Sequence, residues 1–91
     1  MEGEIRMKTF EYTIKDECGL HARPVGMIVN EAKKYASTIT IACGEKKAAA
    51  TKLMAIMAMG VKCGQTVTIT AEGDDEDAAA VAMEEFFKAN L

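Results

Sequence analysis

The sequence has no excess of positive charge. Its formal net charge is −3 and its pI is near 5.1. Binding to nucleic acid relies on clustered lysine and arginine, which displace counterions from the phosphates. No such basic stripe occurs along the chain, which argues against a nucleic-acid partner.

The sequence also lacks a long apolar run. Its longest weakly polar stretch, residues 48–61, is interrupted by Lys52 and Gly60 and falls short of the roughly 20 apolar residues that a membrane span needs. The N-terminal string MEGEIRMKTF has no apolar region of the kind found in secretory signals. We therefore expect a cytoplasmic protein without membrane insertion.

The sequence has few cysteines, and their spacing fits no paired motif. Cys18, Cys43 and Cys63 are odd in number, widely spaced and outside any CxxC motif. This usage indicates reduced thiols in a reducing compartment. Cys43 is expected to act as a small core residue, because free cysteine is often buried.

The chain has the size of one small domain. Its 91 residues are 49% hydrophobic and 27% charged, as in globular proteins with a modest core. We assign residues 7–91 to the domain and residues 1–6 to an N-terminal extension without assigned function. Met7 is an alternative natural start.

Apolar periodicity predicts seven elements of secondary structure. Period-two alternation predicts strands at residues 7–14, 37–43, 46–49 and 66–71. Helical spacing predicts helices at residues 22–34, 53–59 and about 76–89. The order βαββαβα favours an α+β fold, an open-faced sandwich in which a four-stranded antiparallel sheet carries three helices on one face.

The single histidine, His21, stands where a polar turn meets the first helix. Pro24 fits the first helical turn, where a missing N–H costs nothing. The amides of Ala22 and Arg23 would form an anion site at the helix N-terminus, and the Arg23 guanidinium could bind phosphate oxygens. Imidazole, with an ordinary pKa near 6.5, is a suitable nucleophile at about pH 7. The alternative is a capping or turn histidine.

The string GLHARP, residues 19–24, resembles the active-site signature of the HPr family, the histidine-containing phosphocarriers of the bacterial sugar phosphotransferase system. Further matches lie in register at Ile39 and Ile41, at residues 53–57 with Gly60, and at residues 68–73. The resemblance extends over roughly Met7 to Leu91. Several separated motifs are far more specific than one hexapeptide.

This resemblance implies a carrier that is not an enzyme. Nδ1 of His21 would accept a phosphoryl group from enzyme I, which is charged by phosphoenolpyruvate, and donate it to enzyme IIA domains. Arg23 would stabilise the phosphate and Pro24 would shape the turn. The family further implies a monomer without a cofactor.

The resemblance also implies an apolar docking patch for these partners. The matching positions are Gly26, Leu53, Met54, Met57 and Gly60. Methionine suits a surface that meets several partners, because its side chain is flexible and polarisable. Methionine at helical spacing is otherwise usually core, as we expect for Met59 and Met83, and Met57 is open to either interpretation.

One position departs from the family pattern. Lys52 stands where members from low-GC Gram-positive bacteria carry a regulatory serine at the start of the second helix. Lysine has no hydroxyl, so seryl regulation at this position is excluded, and Thr51 is a candidate to cap the helix instead. We expect a permanently competent carrier, or a lineage without the kinase.

No metal site is expected from the sequence. Cys18 precedes His21 by three residues, but a zinc site needs about four ligands and the other cysteines are distant. The acidic run at residues 72–77 lacks the spacing of an EF-hand loop.

Two other functions remain open. The first is a regulatory or nitrogen-type HPr paralogue with the same chemistry and different partners. The second is a module that only binds regulators, with His21 as a vestige.

Overall fold

A computed structural model describes residues 8–91. This range contains four strands, β1 (Lys8–Thr13), β2 (Thr38–Cys43), β3 (Lys46–Ala49) and β4 (Thr66–Glu72). The same residues contain three helices, α1 (Ala22–Ala32), α2 (Leu53–Ala58) and α3 (Glu76–Asn90). The predicted element order and fold class are confirmed. The predicted extension at residues 1–6 and the strand residue Met7 lie outside the described residues.

The strands form one antiparallel sheet in the order β1-β4-β2-β3. The last strand of the chain therefore lies between the first and the second. Phe10 pairs with Ile69, and Ile69 pairs with Ile41 on its other side. Because side chains alternate along a strand, this register places the three apolar side chains on the same face of the sheet.

The three helices cover that face. β2 and β4 turn buried residues toward the helices, namely Ile39, Ile41, Val67, Ile69 and Ala71. Phe87 of α3 is fully buried and meets Phe10 and Tyr12 of β1 edge to face, with ring centroids 6.2 and 5.8 Å apart. Met59 and Met83 lie in this core as expected.

The structure corrects several expectations of detail. α1 ends at Ala32, two residues before the predicted end, because the amide of Lys34 bonds to the carbonyl of Glu31 three residues back. Such bonds tighten the last turn of a helix. Cys43 is half-buried against the core and not inside it.

The start of α2 also differs from expectation. Lys52 occupies the cap position with an extended backbone, and no side chain among residues 8–91 makes a capping hydrogen bond there. The cap expected of Thr51 is therefore wrong.

Asp75 connects the start of α3 to the loop before β2. Its carboxylate accepts hydrogen bonds from the amide of Ala36 at 2.8 Å, from the amide of Ser37 at 2.9 Å and from the Ser37 hydroxyl. The Ser37 hydroxyl and the Ala36 amide hold the pKa of this carboxyl below its ordinary value. This contact joins segments nearly forty positions apart in the chain.

Candidate functional site

His21 occupies the cap position of α1, as the sequence predicts. Its carbonyl accepts the first helical hydrogen bond, from the amide of Val25 at 3.1 Å. Ala22 and Arg23 are the first two helical residues, so their amides have no acceptor within the helix, and no side chain in the described range caps them. Pro24 is the third helical residue and is buried. The two amides thus lie at the helix start where the sequence analysis expects an anion site, which stays a prediction.

A close contact fixes the turn that leads into His21. Gly19 has a φ of +66°, and a Cβ placed on it would lie 2.4 Å from the carbonyl oxygen of Val61. Only glycine tolerates both the left-handed backbone and this approach. Leu20 then donates its amide to the same Val61 carbonyl at 3.1 Å. The His21 turn is thus held against the loop that follows α2.

The same turn is attached to the end of α3. The amides of Lys15 and Asp16 donate to the carbonyl of Leu91 at 2.6 and 2.9 Å. Asp16 closes the turn by accepting the amide of Cys18 on Oδ1 at 2.8 Å and the amide of Gly19 on its carbonyl at 2.9 Å. Three segments of the chain therefore position the histidine.

A surface pocket opens beside the imidazole. Its lining residues are Asp16, His21, Arg23, Pro24, Met27 and Asn90. The three residues predicted from the sequence as the phosphorylation site thus meet in one place. Asp16, Met27 and Asn90 were not predicted. Asn90 belongs to α3, and no local pattern indicates its proximity.

The side chains of Asp16 and Cys18 lie close to the His21 imidazole. Nε2 of His21 lies 3.8 Å from Oδ2 of Asp16, and the two side chains are 39% and 29% exposed. Ligand atoms of Asp16, Cys18 and His21 all lie within 4.8 Å of one another. The sequence analysis considered Cys18 beside His21 and expected no metal site there. It missed Asp16, whose carboxylate the turn brings back toward the helix.

The positions expected to dock partners lie on α1, on α2 and, for Gly60, just after the end of α2. Met54 is 76% exposed, whereas Leu53 and Met57 are 38% and 37% exposed. Gly60 is exposed, and Gly26 is half-buried. Met27, which lines the His21 pocket, is a further exposed apolar residue that the sequence reasoning missed. Lys52 is exposed at the start of α2.

The His21 imidazole and the Arg23 side chain thus line one pocket at the start of α1. The family described as the PTS HPr component phosphorylation site matches residues 8–89. The chain belongs to the HPr family. HPr proteins are phosphocarriers and not enzymes in the ordinary sense, and the expected family membership is confirmed.

Individual relatives agree with this assignment. The phosphocarrier protein HPr of Mycoplasma capricolum subsp. capricolum is 42% identical over 79 residues, covering 87% of this chain and 89% of that protein. A crystal structure of HPr from Thermoanaerobacter tengcongensis has a TM-score of 0.85 at 39% identity, covering 90% of this chain and 92% of that one. Crh, the catabolite repression HPr of Bacillus subtilis, has a TM-score of 0.69 at 31% identity, covering 89% and 94%.

The helices give no sign of a membrane span. Within residues 8–91, none combines the length and the apolar character needed to cross a bilayer.

Proposed function

We propose that His21 carries a phosphoryl group from enzyme I to enzyme IIA domains in the cytoplasm. The observation that carries this proposal is the position of His21 as the cap of α1, beside the amides of Ala22 and Arg23. A phosphate on the imidazole would lie at the positive end of the helix dipole. Arg23, which lines the same pocket, would add charge-assisted hydrogen bonds.

The geometry favours Nδ1 as the nitrogen that is phosphorylated. Nε2 faces the Asp16 carboxylate at 3.8 Å, and a second anion there would be repelled. A neutral imidazole with its proton on Nε2 leaves the Nδ1 lone pair available for attack. The new P–N bond forms as the bond between phosphorus and the donor breaks, and the leaving group is dephosphorylated enzyme I.

Partner docking is assigned to Gly26, Leu53, Met54, Met57 and Gly60. Leu53, Met54 and Met57 expose apolar side chains on α2, and Val61 joins the His21 turn to the loop that follows α2. A partner seated on α2 would thus face the histidine. The methionines would adapt to partners of different shape.

The test is phosphorylation of the purified protein by enzyme I with Mg²⁺ and phosphoenolpyruvate. We expect one phosphate per chain by intact mass, lost on mild acid treatment and absent from the His21→Ala variant. The enzyme I preparation is checked on another HPr protein in parallel. Failure of this chain to accept phosphate from that active enzyme I would overturn the proposal.

The lysine at position 52 favours one alternative, a regulatory or nitrogen-type paralogue. The chemistry at His21 would be the same, but the acceptors would be signalling proteins. Transfer rates from the phosphorylated chain to a sugar-type and to a nitrogen-type enzyme IIA separate the two. Faster transfer to the nitrogen-type domain would support the alternative.

A further inference from the structure

We propose that Asp16, Cys18 and His21 form a binding site for a divalent ion of the zinc class at the phosphorylation site. The carboxylate, thiol and imidazole ligand atoms of these residues lie within 4.8 Å of one another. They are the three side-chain types that bind zinc in proteins. The inference goes beyond carriage of phosphate, because it assigns a second, competing ligand to His21.

The separations suit a metal that binds with little movement. Bonds of about 2.0 to 2.3 Å at tetrahedral angles place neighbouring ligand atoms about 3.5 Å apart. His21 Nε2 and Asp16 Oδ2 are already 3.8 Å apart. Rotation of the exposed Cys18 side chain can bring its Sγ atom closer to the other two ligand atoms.

The local hydrogen bonds orient the carboxylate for this purpose. Oδ1 of Asp16 accepts the Cys18 amide at 2.8 Å, whereas Oδ2 faces the imidazole. Hydrogen bonds to the second oxygen of a ligating carboxylate hold it in place and tune the metal. Because the backbone of the turn is attached to Val61 and Leu91, all three ligands extend from a fixed frame.

Charge and coordination number define the class of ion. A thiolate and a carboxylate together neutralise a divalent ion, and the imidazole adds a neutral ligand. Three protein ligands leave a fourth position for water, as in open zinc sites. The thiolate favours Zn²⁺ over Mg²⁺, which prefers oxygen ligands. Arg23 lines the same pocket, and its positive charge limits the affinity.

A bound metal would hinder phosphorylation at this site. An ion held beside Asp16 takes the Nε2 lone pair of His21, which leaves the ring proton on Nδ1. Nδ1 then has no lone pair with which to attack a phosphoryl donor. The ion would therefore act as a reversible inhibitor of phosphoryl uptake.

The first test is titration of the reduced protein with Zn²⁺ by calorimetry and with Co²⁺ by absorption spectroscopy. We expect one ion per chain and a thiolate-to-cobalt charge-transfer band. Cys18→Ser should abolish the band, and Asp16→Asn should weaken Zn²⁺ binding by roughly tenfold or more. Cys63→Ser is the matched control, because Cys63 is equally exposed and lies outside the cluster.

The second test measures phosphorylation by enzyme I with and without Zn²⁺. The ion should slow phosphorylation of the native chain and have a much smaller effect on Cys18→Ser with the same enzyme I. The proposal fails if the cobalt band is absent, or if Cys63→Ser removes it as fully as Cys18→Ser does. Since the titrations contain no enzyme I, their failure is distinct from failure of phosphate acceptance.

Discussion

The starts of α1 and α3 share one backbone plan. Each is preceded by a glycine with positive φ, Gly19 at +66° and Gly73 at +153°, three residues before the helix begins. A Cβ on either glycine would collide with another segment, at 2.4 Å from Val61 O or at 2.7 Å from Ser37 Cα. Both helices are therefore positioned by a glycine pressed against a distant part of the chain.

The two cap residues differ in what their side chains do. The Asp75 carboxylate is used by the fold, because it accepts three hydrogen bonds from Ala36 and Ser37. The His21 imidazole lies in an open pocket, 39% exposed. Neither side chain caps its own helix. The same position thus presents a side chain either to another segment of the fold or to an open pocket, according to the residue placed there.

The largest effect on stability is expected at Gly19, the glycine that positions the start of α1. Gly19→Ala should lower the free energy of unfolding by roughly 2 to 4 kcal/mol, because it combines a left-handed backbone with a collision against Val61. Urea unfolding measures this change. Phosphorylation by enzyme I should fall as well, since the turn that holds His21 must shift.

Gly60 provides the matched control for that change. Its φ is +64°, but a Cβ there meets no atom within 4 Å. Gly60→Ala should therefore cost only about 1 to 2 kcal/mol, the price of the left-handed conformation. Equal losses for the two variants would show that the contact with Val61 contributes nothing.

The second-largest effect is expected at Arg23, where a substitution should change the rate of phosphorylation and leave the fold unchanged. Arg23→Ala should slow phosphoryl acceptance by roughly 10- to 100-fold, because a hydrogen bond to a charged group contributes about 1.5 to 3 kcal/mol. Arg23→Lys should recover part of the rate, since lysine keeps the charge without the planar fork. Rapid-quench phosphorylation gives the rates, and unchanged urea unfolding would confirm that the fold is intact. A rate equal to that of the native chain would remove Arg23 from the site.

A smaller effect, on stability alone, is expected at the start of α3. Asp75→Asn keeps an acceptor but loses the charge, so the variant should unfold more easily at neutral pH. The folded-state pKa of Asp75 lies below its ordinary value of 3.8, so the stabilisation is complete above that value. It is lost as the pH falls through the folded-state pKa.

The pH dependence separates this contact from a general charge effect. Urea unfolding at about pH 7 and about pH 3 should show the difference between native chain and variant shrinking at the lower pH. Asp74→Asn, which changes the adjacent exposed carboxylate, is the control. A difference that stays constant with pH would contradict the role of the Asp75 charge.

Much of the fold could be predicted because its signals are local. Alternation placed the four strands to within one or two residues over the described range, and Pro24 marked the start of α1 at His21. The end of α1 was misplaced because Lys33 and Lys34 fit a helix as well as a tight turn. The Thr51 cap was wrong because the helix begins one residue later than a Thr51 cap requires, with Lys52 at the cap position.

The remaining features depend on contacts between distant segments. Nothing near Asp75 in the sequence indicates that it binds Ala36 and Ser37. Likewise Asn90 reaches the His21 pocket only because the end of α3 packs beside the first turn. The sequence of each segment predicts its own helix or turn without reference to the other segment. Only the assembled fold shows that the two segments are in contact.

The smallest effect is expected at α2. Within residues 8–91, the side chain of its cap residue, Lys52, neither binds another segment of the fold, as Asp75 does, nor lines the pocket, as His21 does. Lys52 has the extended backbone of a cap residue but makes no capping hydrogen bond, and its charge opposes the helix dipole. Lys52→Ser should raise the free energy of unfolding by about 0.5 to 1 kcal/mol, because the hydroxyl can accept a helix amide and the repulsion is removed. Lys52→Ala removes the charge without adding a cap and should give only part of the gain. If the serine variant proves no more stable than the alanine variant in urea unfolding, a capping hydroxyl adds nothing at the start of α2, and solvent already satisfies the amides there.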